Sequence, residues 1–107
     1  MKVAFVQQAN TTNTCGNINK LKAAISLCAK QGAELIVLQE LHNDVYFCQT
    51  ENPANFDLAE TIPGPSTNEF GALAKELGVV LVISLFEKRM AGLYHNTAVV
   101  IEKDGSI

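Results

Sequence analysis

The sequence predicts an α/β fold with the element order β-α-β-loop-α-β-β, and three observations support this prediction. Short continuous runs of apolar residues are typical of strands that are covered on both faces. Elsewhere, apolar residues recur at spacings of three and four, as they do on one face of a helix. The two kinds of segment alternate, which indicates an α/β sheet. The chain has 107 residues, 48% of them hydrophobic, which is enough for one compact domain.

Four apolar runs are the predicted strands: Val3–Val6, Leu35–Leu38, Val79–Phe86 and Thr97–Ile101. A turn around Ala91-Gly92 precedes the fourth strand. After that strand, Lys103-Asp104-Gly105 is typical of a hairpin turn, so Ser106 and Ile107 would begin a returning strand. Because a domain seldom stops two residues into a strand, we expect residues 1–107 to be the truncated N-terminal part of a single domain.

Two segments with helical periodicity lie between the strands. Asn17 is the predicted N-cap of the first helix, and Gly32 suits the position after its last turn. In the second helix, Ser66 is the predicted N-cap of a capping box that Glu69 completes, and Gly78 ends the helix. The apolar faces are formed by Ile18, Leu21, Ile25 and Cys28 in the first helix and by Phe70, Leu73, Ala74 and Leu77 in the second.

The region from Leu41 to Pro65 has no regular pattern. A connection of this length inside a small domain is unusual unless it carries a function or a short helix. We therefore expect one of these two in the loop.

Composition excludes several classes of protein. A net charge of −3 and an isoelectric point near 5.2 argue against a nucleic-acid partner, which would need a basic surface. The longest strongly apolar stretch is far shorter than the ~20 residues of a membrane-spanning helix, and the N-terminus does not resemble a signal peptide. Three cysteines without a C-x-x-C pair are typical of free thiols, so we expect a cytoplasmic protein.

Glu40 is the candidate functional residue that its position favours most. It follows an unbroken apolar strand, and ligands of open α/β sheets bind beyond the carboxyl ends of the strands. A partly buried carboxylate at such a place can act as a general base. The alternative is a solvated acid that ends a strand, and the pattern alone leaves both possibilities open.

Two further hypotheses use the residues around Glu40. Glu40, His42 and Asp44 alternate, so in an extended segment they would project to one side and could bind zinc, iron or manganese. Cys48 could be a nucleophile if His42 or His95 lay against it. A thiol between aromatic residues is more often a small packed group, however.

The remaining candidates favour structural roles. Cys28 is expected in the core, whereas Cys15, in a polar loop, has no predicted activating neighbour. His95-Asn96 precedes a predicted strand and is expected to organise a turn. The chain has no G-x-G-x-x-G, Walker, G-x-S-x-G or H-E-x-x-H motif, which argues against nucleotide binding, serine hydrolysis and zinc-dependent proteolysis.

Several segments, taken in order, resemble the carbon-nitrogen hydrolase (nitrilase) superfamily: Lys2–Gln7, Glu34–Leu41, Tyr94–Ile101 and Asp104-Gly105. The segments from Glu40 to Gln49 and from Ala74 to Val80 are most similar to N-carbamoylputrescine amidases. The resemblance covers the whole chain. It implies an α-β-β-α sandwich, of which this chain would be the N-terminal portion. It also implies homo-oligomers formed through the helical faces, and no metal or other cofactor.

The resemblance also implies a mechanism. Members of the superfamily use a cysteine that attacks the amide or carbamoyl carbon, a glutamate as general base, and a lysine that holds the oxyanion. Glu40 matches the general base, and Tyr46 is expected to line the substrate pocket. The lysine and the cysteine of the superfamily come later than Ile107, and Lys103, which precedes the Asp-Gly turn, does not match that lysine. We therefore expect the 107 residues alone to be inactive.

The substrate that the resemblance implies is a small amide or carbamoyl compound. N-carbamoylputrescine, hydrolysed to putrescine, CO2 and ammonia in polyamine biosynthesis, is the first expectation. A β-ureidopropionase or an ω-amidase remains an alternative within the same chemistry. A non-catalytic domain that binds a ligand or a partner chain, and a metal enzyme, are the alternatives outside it.

Overall fold

The computed structural model describes residues 1–47 and 52–107 of the chain. The elements follow in the order β1 (Val3–Val6), α1 (Thr14–Lys30), β2 (Leu35–Leu38), a 3₁₀ helix (Pro53–Leu58), α2 (Pro65–Leu77), β3 (Val80–Met90) and β4 (Leu93–Ile101). The predicted α/β fold is confirmed, and the 3₁₀ helix is the short helix expected in the long loop.

The four strands form one sheet in the order β1-β2-β3-β4. β1 pairs with β2, and β2 with β3, in parallel, while β3 and β4 form an antiparallel hairpin. The carboxyl ends of the three parallel strands therefore meet at one edge of the sheet. The residues that follow β2 lie at this edge, beside the C-terminal half of β3 and the N-terminal half of β4.

The hairpin is longer than the sequence predicts. The predicted boundaries at Phe86 and Thr97 are wrong, because pairing continues through polar residues such as Glu87, opposite His95. Antiparallel strands can keep their backbone hydrogen bonds where one or both faces meet water. His95 and Asn96 therefore lie within β4, and the prediction that they organise a turn is wrong.

Both predicted N-caps are wrong, although the helices are confirmed. α1 begins one turn earlier, with Asn13 as its N-cap, and its Oδ1 accepts a hydrogen bond from the backbone N–H of Gly16 at 3.0 Å. Cys15 consequently lies in the helix, not in a loop. α2 begins at Pro65, after Gly64, because proline is favoured in the first helical position, where no backbone donor is needed. Gly78 ends α2 with a φ of +68°, as predicted.

The helices cover one face of the sheet and form the core with it. Phe70 of α2 and Ile36 and Leu81 of the central strands are fully buried. On the opposite face of the described structure, Phe5 is 77% exposed and Val3 is 43% exposed. The prediction that the apolar run of β1 is covered on both faces is therefore wrong for the residues described. Neither α1 nor α2 has the length and apolar character that a membrane crossing would need.

The turn after β4 packs against α2 through two glycines. Gly105 has a φ of +88°, and a Cβ built there would lie 2.8 Å from the carbonyl oxygen of Gly71. The backbone N–H of Glu102 donates to the carbonyl of Ser106 at 2.7 Å, so the chain reverses as predicted. Ser106 and Ile107 do not form a strand among the described residues.

Candidate active site

Glu40 lies just beyond β2, at the edge of the sheet where the parallel strands end. It begins a turn, and the next residue, Leu41, has a φ of +49°. Residues other than glycine rarely adopt this left-handed conformation, and strained positions of this kind cluster at functional sites. The turn sends Leu41 into the core and leaves Glu40 exposed. Of the two possibilities that the sequence left open, the described residues show a solvent-exposed carboxylate and not a partly buried one, because they leave this face of the sheet open.

The Glu40 carboxylate is held by the β4 strand. Its Oε1 accepts a hydrogen bond from Nδ2 of Asn96 at 2.6 Å. The Oδ1 of Asn96 lies 3.5 Å from the hydroxyl of Ser84 on β3, a long contact. The same hydroxyl accepts a hydrogen bond from the backbone N–H of Leu41 at 3.0 Å. These contacts connect the turn that carries Glu40 to both strands of the hairpin.

Aromatic rings lie beside this network. Phe86 is the pairing partner of Asn96 in the sheet. Its ring centroid is 5.0 Å from that of Phe47 and 5.6 Å from that of Tyr94, and Phe56 lies 4.6 Å from Tyr94. Such distances are typical of favourable aromatic contacts. The rings give the neighbourhood of Asn96 and Glu40 an apolar wall.

His42, two residues beyond Glu40, lies in the core. It is fully buried, with its ring edge against Phe70 at a centroid distance of 5.1 Å. Neither ring nitrogen makes a hydrogen bond of good geometry. Burial lowers the pKa of His42 to about 4, and the nearby Asn43 side chain offsets a small part of this effect. His42 is therefore neutral at pH 7.

Buried polar side chains fix the turn after Glu40 to both helices. Nδ2 of Asn43 donates to the Ser66 hydroxyl at 2.8 Å, and this hydroxyl donates to Glu60 at 2.9 Å. Nδ2 of Asn17 donates to the carbonyl oxygens of Thr11 and Asn43 at 2.8 and 2.9 Å. Asn17 and Ser66 are thus buried connectors between segments, which is why they do not cap the helices.

The structure separates the three residues of the metal hypothesis. Glu40 bonds to Asn96, His42 points into the core, and the Thr14 hydroxyl donates to Asp44 at 2.5 Å. The expected projection to one side is therefore wrong, because residues 40–43 form a turn and not an extended segment. In residues 1–47 and 52–107, no group of three or more His, Cys, Asp or Glu side chains is placed to hold a metal ion.

Tyr46 is 45% exposed and lines a cavity of about 440 Å³ with residues of the same loop and of the 3₁₀ helix, including Phe47, Asn55 and Leu58. Glu40 is not in that lining. The role of Tyr46 in substrate binding stays a prediction.

The cysteines do not build a second site in the described part of the chain. Cys15 is exposed and Cys28 is half-buried against the core, and both are free thiols. Cys48 lies outside the described residues, so its pairing with a histidine stays a hypothesis; of the two proposed partners, His42 is buried in the core and His95 is exposed on β4. Lys103 is exposed in the turn after β4.

The sequence interpretation missed Asn96 and Ser84 as neighbours of Glu40. The alternation of buried and more exposed side chains along β3 and β4 could have revealed them, because it places both residues on the face of the sheet opposite the helices. It was overlooked because β4 was predicted to begin one residue after Asn96.

Comparison with known proteins agrees with this architecture. The family profile described as carbon-nitrogen hydrolase matches residues 2–107, so the chain belongs to the carbon-nitrogen hydrolase family. A solved structure, a carbon-nitrogen hydrolase from Helicobacter pylori G27, superimposes with a TM-score of 0.89 at 45% identity and covers 96% of this chain and 36% of its own.

Two curated relatives are similar to this chain over nearly its whole length. A citrullinase from Francisella tularensis subsp. tularensis is 39% identical over the whole of this chain, and an N-carbamoylputrescine amidase from Solanum lycopersicum is 34% identical over 97% of it. The chain spans 37% and 35% of the length of these two relatives. The family is thus established, and its sandwich fold accounts for the β-α-β-loop-α-β-β order.

Proposed function

We propose that this chain is the N-terminal part of a single hydrolase domain that cleaves a carbamoyl carbon-nitrogen bond, with Glu40 as general base. The observation that carries the proposal is the placement of the Glu40 carboxylate. It lies at the carboxyl edge of the parallel strands and is oriented by Asn96 at 2.6 Å. A general base must first be held within hydrogen-bond reach of the proton that it removes, and its protonation state matters only then. The resemblance to the family supports the same role.

The chemistry follows from the family mechanism. Glu40 removes the proton from a cysteine thiol, and the thiolate attacks the carbamoyl carbon. The carbon-nitrogen bond then breaks, the leaving nitrogen takes up the proton that Glu40 received, and a thioester-type intermediate remains. A lysine holds the oxyanion during this step. Glu40 then removes a proton from the water that hydrolyses the intermediate. The family positions of this cysteine and this lysine come later in sequence than Ile107.

N-carbamoylputrescine is the substrate that we propose, with putrescine, CO2 and ammonia as products. The names of the two curated relatives support this class, because citrulline and N-carbamoylputrescine both carry a ureido group. The aromatic wall of Phe86, Tyr94 and Phe56 beside Asn96 suits a cationic alkyl chain. A β-ureidopropionase or an ω-amidase would share the base but release a different product.

We test the proposal by ammonia release from N-carbamoylputrescine, using the protein as its native source makes it and its Glu40→Gln variant. We first measure the intact mass of the protein from its native source, which shows whether the polypeptide is larger than the 11.6 kDa of residues 1–107. We expect Glu40→Gln to lower kcat about 10²- to 10⁴-fold, since general acid–base catalysis contributes this much. Glu34→Gln, which neutralises an exposed carboxylate at the opposite end of β2, is the matched control and should leave turnover unchanged.

Other substrates distinguish the alternatives. If a β-ureido acid or an ω-amide were turned over faster than N-carbamoylputrescine, the proposed substrate would be wrong. The proposed role of Glu40 as general base would be unaffected. Unchanged turnover in Glu40→Gln would contradict the role of Glu40.

We further propose a cytoplasmic homo-oligomer that assembles through the outer faces of α1 and α2. The resemblance and the composition support this assembly.

A further inference from the structure

We infer that Asn96 is the positioning residue of the general base, and that it orients the Glu40 carboxylate through a single hydrogen bond from its uncharged amide. The inference rests on the proposed role of Glu40 and goes beyond it, since Asn96 touches neither substrate nor nucleophile in that mechanism. The observation is the 2.6 Å distance between Asn96 Nδ2 and Glu40 Oε1, across 56 positions of sequence.

The geometry fixes the orientation of the Asn96 amide. Its Oδ1 faces the Ser84 hydroxyl at 3.5 Å, and that hydroxyl accepts the Leu41 N–H at 3.0 Å. A hydroxyl that accepts from Leu41 can donate its own proton to Oδ1. The amide nitrogen is then the end that faces Glu40. Two contacts therefore hold this turn: the Glu40 side chain bonds to Asn96, and the backbone N–H of Leu41 bonds to Ser84.

The chemistry favours an amide in this place. Asn96 offers an N–H donor to one carboxylate oxygen, and a hydrogen bond with an ionised partner is short and strong. Among the described residues no hydrogen bond is made to Oε2, so this oxygen is available to receive a proton. A lysine or arginine would form an ion pair at the same place and would oppose protonation of the carboxylate. An amide directs the carboxylate without carrying a charge of its own.

A structural role explains the contact less well. Both Glu40 and Asn96 are exposed, and exposed polar pairs contribute little to stability. The β3–β4 hairpin is held by its backbone ladder from Leu81↔Ile101 to Lys88↔Tyr94. Removal of the Asn96 side chain should therefore leave the fold intact.

The test uses the protein as its native source makes it, with N-carbamoylputrescine as substrate. We expect Asn96→Ala to lower kcat about ten- to a hundredfold, because a misdirected catalytic group costs about this much. KM and the melting temperature should stay unchanged. Gln31→Ala, which removes an exposed side-chain amide just after the end of α1, is the matched control and should alter none of these values.

A double-mutant cycle shows whether Asn96 acts through Glu40. Glu40→Asp withdraws the carboxylate by one methylene, beyond the reach of the amide, so adding Asn96→Ala to it should cause less than about a twofold further loss. If the two losses multiply, Asn96 acts independently and the inference is wrong. It is also wrong if Asn96→Ala alone has no effect while Glu40→Gln abolishes turnover. If Glu40→Gln leaves turnover intact, it is the proposed function that fails.

Discussion

At the scale of single residues, Glu40 and His42 are close in sequence but lie in opposite environments. Glu40 is exposed at the sheet edge, and His42 is fully buried against Phe70. The left-handed φ of Leu41 between them makes the change of direction possible. A pattern of alternating polar residues cannot reveal such a turn, because leucine is not a residue that signals it. This is why the sequence placed Glu40 at the edge of the sheet but misplaced its neighbours.

His42 makes stability depend on pH. Its pKa in the folded protein is lowered to about 4, from 6.5 in the unfolded chain, so the unfolded chain binds the additional proton between these values. The stabilisation is complete above pH 6.5 and is lost as the pH falls towards 4. We expect the free energy of unfolding to fall by up to about 3 kcal/mol in this window from His42 alone. Urea unfolding at a series of pH values measures it.

Two variants isolate this effect. His42→Leu, of similar volume and without a titrating group, should lose most of the slope between pH 6.5 and 4. His95→Gln removes the exposed histidine of β4 and should keep the slope. Because His42→Leu could alter packing, the ring protons of His42 in the unmodified protein give a second measurement by NMR. Titration of this ring near pH 6.5 would contradict the prediction.

At the scale of elements, the apolar runs predicted β1 and β2 to the residue, and helical spacing predicted both helices. The helix starts were wrong for one physical reason. Asn17 and Ser66 have side chains that favour N-caps, but such side chains can also form hydrogen bonds with groups outside their own helix. In this fold, Asn17 bonds to the carbonyl of Asn43, and Ser66 bonds to Glu60. A local pattern contains no information about these distant partners.

The two asparagines of α1 should differ in their effect on stability. Asn13→Ala removes an exposed N-cap bond and should cost about 1 kcal/mol. Asn17→Ala should cost about 2 kcal/mol or more, since it leaves the buried carbonyl of Asn43 without this partner and removes the contacts to Thr11. Urea unfolding of both variants checks the order. A larger cost for Asn13→Ala would mean that Asn17 does not connect the segments.

At the scale of the whole molecule, the layers decide which residues can act together. The helices and the core lie on one side of the sheet, and Glu40, Asn96 and Ser84 lie towards the other. The order of strands and helices was predictable, because hydrophobic periodicity reports burial along each element. The pairing of Glu40 with Asn96 was not, because it depends on register across β3 and β4. Only the assembled sheet brings these two residues together.

The same layering predicts that activity does not require a metal ion. Glu40 lies at the open face, His42 lies in the core between the layers, and Asp44 bonds to Thr14 at the start of α1, so these three cannot converge on one ion. We expect ammonia release from N-carbamoylputrescine by the native-source protein to be unchanged after exhaustive dialysis against EDTA. A second aliquot, dialysed in the same way and given zinc or manganese, is the control and should have the same rate. A loss of turnover that either ion restores would contradict the prediction and would support the alternative that the protein is a metal enzyme.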